Sequence, residues 1–279
     1  MTYTAIITGG AGGMGLATAK ILGNDHRVVI ADLDQQRLDA AVAELTAGGI
    51  EASSAVCDIT DRASVERLLD EAARGGHHVR AVVHAAGISP QMGTADRVAR
   101  INGTGTVNVT QAFLARAGDG DVLVNVASTA GHGLPKILIP FGSFRLAETN
   151  PAAFEQAIVR RARIGGRKLH SGIAYGISKA FVLWYTRAQA VAFGKRGARI
   201  VSVSPGSFDT AMGRLEENHG AAEFLKVSAI KRFGKPEEIA AVLAFCAGTA
   251  PGYLTGVDIL VDGGTRAGSE FRKRRGAQP

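Results

Sequence analysis

The sequence has only two cysteines, Cys57 and Cys246, and their positions match no spacing typical of a zinc or redox site. We therefore expect both to be buried thiols of a reducing compartment. No apolar run approaches the roughly 18 residues that a membrane span requires. The first residues enter a strand at once, without the basic region of a secretory signal. These absences predict a cytoplasmic protein that does not enter a membrane.

Acidic residues are also few, with 25 Asp and Glu against 32 Lys and Arg, which gives a formal net charge of +7. A basic balance can indicate nucleic-acid or lipid binding. The only dense basic run, Arg272–Arg275, lies after the last predicted strand. We interpret residues 265–279 as a solvated basic tail and expect neither nucleic acid nor membrane as a partner. A positive field also attracts a dinucleotide or an acidic substrate.

Seven short apolar segments predict strands, and helical patterns join nearly all of them. Helical crossovers between strands produce a parallel sheet. The predicted fold class is therefore α/β: a single-domain, doubly wound (Rossmann-like), seven-stranded parallel sheet with helices on both faces, over residues 1–264. Two long helices are predicted at Thr94–Ala117 and Tyr175–Lys195. The strands are predicted at 4–8, 27–31, 52–57, 79–84, 121–127, 198–203 and 257–261.

A glycine-rich turn follows the first strand, with the sequence Gly9-Gly-Ala-Gly-Gly-Met-Gly15, and a helical pattern follows the turn. In this context glycines let the backbone approach a pyrophosphate, and the helix N-terminus offers free N–H groups. The alternative is a plain turn, because Gly10 to Gly15 fits the dinucleotide motif in one register only.

Asp32 ends the second strand, 17 positions after Gly15. An acidic residue there can accept hydrogen bonds from the adenosine ribose and repels a 2′-phosphate. Because the glycine-rich turn contains no Arg or Lys, we predict NAD rather than NADP. The alternative is that Asp32 caps the next helix. Asp58 and Ile59, after the third strand, are placed to flank an adenine.

Polar residues also mark the later strand ends. Ser128 follows the fifth strand, at the edge where parallel sheets bind ligands. Asn102 lies within a predicted helix, either for function or as a helix defect. His84 ends the fourth strand, and we assign it a structural rather than an acid/base role.

Thr210 either contacts a carboxamide or caps the next helix. Nearby apolar residues predict a mobile lid: Phe208, Met212, Leu215 and Phe224.

Tyr175 and Lys179 are one helical turn apart. A neighbouring ammonium stabilises a phenolate and lowers the pKa of a tyrosine that otherwise ionises near pH 10. Such a pair exchanges a proton with an alcohol or carbonyl near pH 7. An isolated pair is more often a surface contact, and the surrounding motifs favour the functional interpretation.

Together, the motifs resemble the short-chain dehydrogenase/reductase family over about residues 3–264. The resemblance implies that Tyr175 is the general acid/base, Lys179 assists it and holds the nicotinamide ribose, Ser128 binds the substrate oxygen, and Asn102 supports a water linked to Lys179. It implies no metal and a small-molecule alcohol or ketone substrate. The implied dinucleotide-binding residues are Gly9, Gly13, Met14, Gly15, Asp32, Leu33, Asp58, Ile59, Ala85, Ala86, Gly87, Tyr175, Lys179, Pro205, Gly206, Phe208 and Thr210.

Two features depart from that family's pattern. His84-Ala85 stands where the family often has two Asn, which puts a sheet-stabilising bond in doubt. Ser128 and Tyr175 are also 47 positions apart, much farther than is usual in the family. The difference is an insertion at about 132–170, with a helix predicted to start at Asn150-Pro151 as cap and first residue. We interpret the insertion as a wall or lid of the substrate pocket, the alternative being a decoration packed on the body.

The insertion is similar to that of the 3α-hydroxysteroid dehydrogenase/carbonyl reductase branch. This similarity implies a bulky apolar substrate and a homodimer, because the insertion can obstruct the helix face that many relatives use to form homotetramers. Trp184 and Tyr185, on that helix, face either another subunit or the insertion.

The predicted activity is interconversion of a secondary alcohol and a ketone with NAD. A sugar-nucleotide epimerase and a catalytically silent dinucleotide-binding regulator are the alternatives. An epimerase usually has a separate C-terminal substrate domain, and the short tail after Gly264 argues against that alternative. The presence of Ser128, Tyr175 and Lys179 argues against the silent regulator.

Overall fold

The structure, a computed structural model, describes residues 3–216 and 222–276. Its centre is a seven-stranded, fully parallel sheet in the order β3-β2-β1-β4-β5-β6-β7. This confirms the predicted fold class. The strands are β1 Tyr3–Thr8, β2 His26–Asp32, β3 Ala52–Val56, β4 His78–His84, β5 Val122–Val126, β6 Arg199–Pro205 and β7 Asp258–Val261.

Helices join the strands and cover both faces of the sheet. The first ones are α1 Gly13–Leu22, α2 Gln35–Ala47, α3 Arg62–Ala72, α4 Ala95–Ala99 and α5 Gly105–Arg116. The insertion and the long helix after it contain α6 Ala130–Gly133, α7 Phe141–Phe144, α8 Pro151–Ala162 and α9 His170–Gly194. The last are α10 Ala211–Glu216, α11 Ala222–Val227, α12 Pro236–Ala247 and α13 Thr265–Gly276. No helix within these described ranges is both long and apolar enough to cross a membrane.

Two predicted helices differ from those observed. The segment Thr94–Ala117 is not a uniform α-helix, because one turn of π-helix, Arg100–Thr104, separates α4 from α5. Tyr175 does not open its helix, since α9 begins at His170 and places Tyr175 in the second turn. The residues that would be the basic tail begin as helix α13.

Alternate residues of each strand face opposite sides of the sheet. On one side Ile7 and Ile30 pack with α1, α2 and α12, and on the other Ile6 and Leu123 pack with α3, α5 and α9. Both layers are closed to water. The strand order reverses between β1 and β4, and ligands of such sheets bind at the carboxyl edge there.

The insertion packs onto α9 through a third apolar cluster. Phe144 of α7 and Phe154 of α8 are buried, and both contact the ring of Phe181 on α9, with centroids 5.2 and 4.5 Å away. Asn150 caps α8 by accepting a hydrogen bond from the N–H of Ala153 at 3.1 Å, which confirms the predicted start of this helix. The insertion is therefore a packed part of the domain.

Candidate active site

The glycine-rich turn lies at the point where the strand order reverses. Gly9 has φ +69°, a conformation that favours glycine, and a Cβ on it would lie 2.8 Å from the N of Ala86. A Cβ on Gly15 would collide with the carbonyl of Gly9. Helix α1 begins at Gly13 without a side-chain cap, so the N–H groups of its first turn face the open edge. An uncapped helix start after a glycine-rich turn is the type of structure that a pyrophosphate fits.

Asp32 ends β2 beside this turn, and its Oδ1 accepts a hydrogen bond from the N–H of Leu33 at 2.8 Å. The cap of α2 is Asp34, which accepts from the N–H of Arg37, so Asp32 is not the helix cap. The guanidinium of Arg37 reaches back across the turn: its Nη2 lies 3.1 Å from where a Cβ on Gly12 would be. Arg37 lies on α2, outside the glycine-rich turn, and no local sequence pattern predicts this approach.

The third and fourth strand ends border the same region. Asp58 Oδ1 accepts hydrogen bonds from the N–H and the hydroxyl of Thr60, both at 2.8 Å, which fixes the turn after β3. Ile59 is buried and its side chain packs beneath Gly105, so only its backbone borders the open edge. A Cβ on Gly87 would lie 3.7 Å from Lys179 Nζ. The segment Ala85–Gly87 thus passes close to the predicted catalytic residues.

His84 forms a chain of buried hydrogen bonds. Its Nδ1 lies 2.8 Å from Thr8 Oγ1 and its Nε2 lies 3.3 Å from Thr106 Oγ1. Because the Thr106 hydroxyl donates to the carbonyl of Asn102 at 2.8 Å, it accepts from Nε2–H, and Nδ1 then accepts from Thr8. Burial first, and then the charge of Lys179, lower the pKa of His84 to about 3. The ring is neutral and joins β4 to β1 and to the first turn of α5, which agrees with a structural role.

Asn102 lies in the π-turn and is almost fully buried. Its Oδ1 accepts from the N–H of Ile88 at 2.9 Å, and its Nδ2 donates to the carbonyl of Ile88 at 3.0 Å. A longer contact of 3.4 Å joins Nδ2 to Ser178 Oγ on α9. Asn102 therefore ties the turn after β4 to the helix that carries Tyr175 and Lys179.

Ser128, Tyr175 and Lys179 are held at the carboxyl end of β5. Ser128 Oγ accepts from the N–H of Ala130 at 3.2 Å, and the hydroxyl is half-buried. Lys179 Nζ donates to the carbonyl of Val126 at 2.9 Å and lies 5.9 Å from the ring centroid of Tyr175. Helix α6 packs so closely on α9 that a Cβ on Gly131 would lie 2.8 Å from the carbonyl carbon of Lys179. This contact joins the serine segment to the tyrosine helix.

The loop after β6 closes the other side. The carbonyl of Pro205 accepts from the N–H of Thr129, and Gly206 N–H donates to Val261. Thr210 caps α10 by accepting from the N–H of Gly213 at 3.0 Å. Its Cγ2 also lies 3.6 Å from where a Cβ on Gly13 would be, so the loop faces the glycine-rich turn.

The residues interpreted as a lid divide into two groups. Phe208 is buried and packs on Gly234, which makes it part of the loop's base. Met212 and Leu215 lie on α10, while the side chain of Phe224 is outside the described part of the chain. A lid formed by these residues stays a prediction.

The residues present fit a nicotinamide dinucleotide. The glycine-rich turn, Asp32 and the end of β4 line one half of the open edge, and Lys179 with the loop after β6 lines the other half. A dinucleotide needs an anion site and a ribose partner in the first half. In the second half, the buried ammonium of Lys179 lies 5.9 Å from the ring centroid of Tyr175.

Comparisons with known proteins agree with this geometry. A family model described as short chain dehydrogenase matches residues 3–142, and one described as Enoyl-(Acyl carrier protein) reductase matches residues 148–266. The short-chain dehydrogenase/reductase bsc3 of Alternaria brassicicola is 32% identical over 96% of this chain and 97% of its own length. A hydroxy-methyl-oxo-hexahydro-indene-carboxyl-CoA reductase of Mycobacterium tuberculosis is 31% identical over 92% and 90%.

Among solved structures, a short chain dehydrogenase from Burkholderia cenocepacia in complex with NADP is 26% identical, with a TM-score of 0.75 over 95% of this chain and 98% of that one. These relatives are diverse and do not single out the 3α-hydroxysteroid dehydrogenase/carbonyl reductase branch. The chain belongs to the short-chain dehydrogenase/reductase family of nicotinamide-dependent oxidoreductases.

Proposed function

We propose that this protein interconverts a secondary alcohol and a ketone with NAD. The observation that carries the proposal is the convergence of Ser128, Tyr175 and Lys179 at the carboxyl edge of β5, opposite the glycine-rich turn. Fold alone would not assign a reaction. These three side chains form a proton-transfer group next to a dinucleotide-type anion site.

Each residue has a distinct role in the proposed mechanism. In the oxidative direction the oxygen of Tyr175 takes the proton of the substrate hydroxyl, while the hydroxyl of Ser128 donates a hydrogen bond to the same oxygen. The buried ammonium of Lys179 favours the phenolate form of Tyr175. In the reductive direction Tyr175 returns the proton. When bound, NAD supplies the hydride chemistry, and the protein supplies position and polarity.

We propose NAD as the preferred cofactor because Asp32 ends β2 where a 2′-phosphate would lie. Arg37 opposes this preference, since its guanidinium approaches Gly12 on the same side of the turn. A cation there attracts phosphate. We therefore expect NADP to bind more weakly than NAD, with Arg37 accounting for most of the NADP affinity that remains.

The substrate proposed is a bulky apolar ketone or alcohol. The insertion joins Ser128 to the helix of Tyr175, and its residues Leu134 and Ile139 belong to the same apolar cluster as Tyr175. An apolar wall of this kind suits a large hydrocarbon skeleton, as in the 3α-hydroxysteroid dehydrogenase/carbonyl reductase branch. The name of the Mycobacterium tuberculosis relative also specifies a bicyclic ketone.

The protein is also proposed to be a homodimer. Trp184 packs on Phe144, with centroids 5.6 Å apart, and the hydroxyl of Tyr185 donates to Glu148 at 2.8 Å. Both residues of α9 therefore contact this chain's own insertion. This leaves less of α9 for a second subunit, which favours a dimer over a tetramer.

Replacing Tyr175 by Phe tests the reaction. The variant is expected to lose at least about 1,000-fold in kcat, because proton transfer and the activated hydroxyl disappear together. NAD affinity, measured by fluorescence titration, is expected to change less than threefold. Tyr253→Phe is the matched control, because Tyr253 is fully exposed. Turnover by Tyr175→Phe at the wild-type rate would refute the assignment.

A further inference from the structure

The insertion holds much of the chain's excess positive charge. Residues 132–170 contain seven Lys and Arg but only two Asp and Glu, a balance of +5 in a chain whose formal net charge is +7. Such a concentration creates a local positive field. The cations are Lys136, Arg145, Arg160, Arg161, Arg163, Arg167 and Lys168.

The two acidic residues of the insertion are directed toward the body of the domain. Glu148 accepts hydrogen bonds from Tyr185, Gln111 and Gln189 at 2.8, 3.0 and 2.6 Å. Glu155 accepts from the hydroxyl of Thr104 at 2.5 Å. Their partners are neutral side chains, so the carboxylates fasten the insertion to α5, α9 and the π-turn. In the described part of the chain, none of the lysines and arginines of the insertion forms a salt bridge with a carboxylate.

Two of these cations line a groove of about 450 Å³ between α7 and the last turn of α8. Pro140, Ala157 and Ile164 form apolar walls, Ser143 offers a hydroxyl, and Arg160 and Arg161 supply the charge. This volume is in the range of small-molecule sites, which run from about 300 to 1,000 Å³. It is too small for a protein helix and large enough for part of an organic ligand.

The guanidinium of Arg161 is held in place at this groove. Its Nη1 donates to the carbonyl of Ile137 at 3.2 Å, and the side chain is half-buried. Arginine at a helix C-terminus also interacts favourably with the helix dipole, which explains one cation there. It does not explain an adjacent pair that lines an apolar groove. Both Arg160 and Arg161 line the groove, and a guanidinium matches the geometry of phosphate oxygens.

We propose that this groove binds the phosphorylated handle of the substrate, of the kind found in a coenzyme A thioester. The inference rests on the proposed function and names the substrate class. Phosphate oxygens would pair with Arg160 and Arg161, and the apolar part of the handle would lie on Pro140 and Ile164. The residues that line the groove, from Pro140 to Ile164, lie in the insertion between Ser128 and α9, and this insertion packs on α9, the helix that carries Tyr175, through Phe144 and Phe154.

Binding of free coenzyme A tests the groove without any turnover. Calorimetric titration is done with saturating NAD present, so that the ligand cannot occupy the dinucleotide site. Arg160→Gln combined with Arg161→Gln is expected to weaken coenzyme A binding at least tenfold, since two charge-assisted hydrogen bonds are lost. Pantetheine, which lacks phosphate, should bind far more weakly than coenzyme A to the wild type.

The control removes the same charge elsewhere on the insertion: Arg163→Gln with Arg167→Gln, neither of which lines the groove. It should change coenzyme A binding less than twofold. If both double variants weaken coenzyme A binding equally, the effect comes from the overall positive charge of the insertion, and the proposed binding site is wrong. Absence of coenzyme A binding to the wild type would overturn it as well.

A kinetic comparison tests whether the ligand is the substrate's handle. The wild type is expected to prefer acetoacetyl-coenzyme A over acetoacetyl-N-acetylcysteamine at least tenfold in kcat/KM, and the Arg160/Arg161 double variant should lose that preference. If the wild type has equal kcat/KM values for the two substrates, the groove does not bind the handle of the substrate. If no ketone is reduced but the groove variant still loses coenzyme A affinity, the failure belongs to the proposed reaction and not to the groove.

Discussion

His84 should make the stability of this protein strongly dependent on pH. The ring is 2% exposed and bonded between Thr8 and Thr106, and it is neutral in the folded state. A proton on Nδ1 would remove the acceptor that Thr8 uses and place a second buried cation near Lys179. Acid conditions should therefore unfold the chain partly through this one residue.

The magnitude follows from the pKa. Burial, and secondly the charge of Lys179, lower the pKa of His84 from 6.5 to about 3 in the folded protein. Below pH 6.5 the unfolded chain binds a proton that the folded chain does not, so stability falls as the pH falls from 6.5 toward 3. Each pH unit inside this window costs about 1.4 kcal/mol. At pH 5 the loss from His84 is therefore about 2 kcal/mol.

Urea unfolding at pH 7 and pH 5 measures this loss. The fluorescence of Trp184, the only tryptophan, reports unfolding of wild type and His84→Gln at one protein concentration. The variant is less stable at pH 7, but the difference from wild type should shrink by about 2 kcal/mol at pH 5, because Gln does not titrate. Leu38→Ala, a core variant, should keep a constant difference. A constant difference for His84→Gln as well would refute the reasoning.

Three further results are expected. Asp32→Ala should raise the NADP-to-NAD affinity ratio at least tenfold in fluorescence titration, and Arg37→Gln should lower it several-fold; unchanged ratios would remove both residues from the ribose site. Phe144→Ala should lower the free energy of unfolding in urea by about 3–5 kcal/mol, since it leaves a cavity among four aromatic rings; a loss below 1 kcal/mol would mean that the insertion is loosely packed. Sedimentation equilibrium should give a dimer, and a tetramer would show that α9 remains available.

The sheet could be predicted from the sequence because its signals are local. β1 was predicted at 4–8 and observed at Tyr3–Thr8, and β4 at 79–84 and observed at His78–His84. Buried parallel strands are continuous apolar runs bounded by turns, so each run predicts its own strand. The strand ends then fix which polar residues share the open edge, as for Asp32 and Ser128.

Contacts between distant segments had no such signal. Arg37 lies on α2, outside the glycine-rich turn, and only the folded chain shows that its side chain returns to Gly12. The start of α9 was missed because Ser171 and Gly172 are weak helix formers, and helix formation there depends on packing with the insertion. For Trp184 and Tyr185 the sequence left two interpretations, and only the folded chain shows that they contact Phe144 and Glu148 of the insertion.

At Asn102 a helix irregularity coincides with a residue for which a functional role is predicted. The π-turn adds a residue to one helical turn, which weakens the local backbone bonding and occurs frequently at functional sites. Here the side chain of Asn102 binds the backbone of Ile88 through both its amide atoms, and the hydroxyl of Thr106 bonds the carbonyl of Asn102 within the π-turn. The hydroxyl of Thr106 is oriented in turn by His84. A neutral histidine at the end of β4 therefore supports the geometry of the turn that faces Lys179, and this gives a physical reason for histidine at a position where the family often has asparagine.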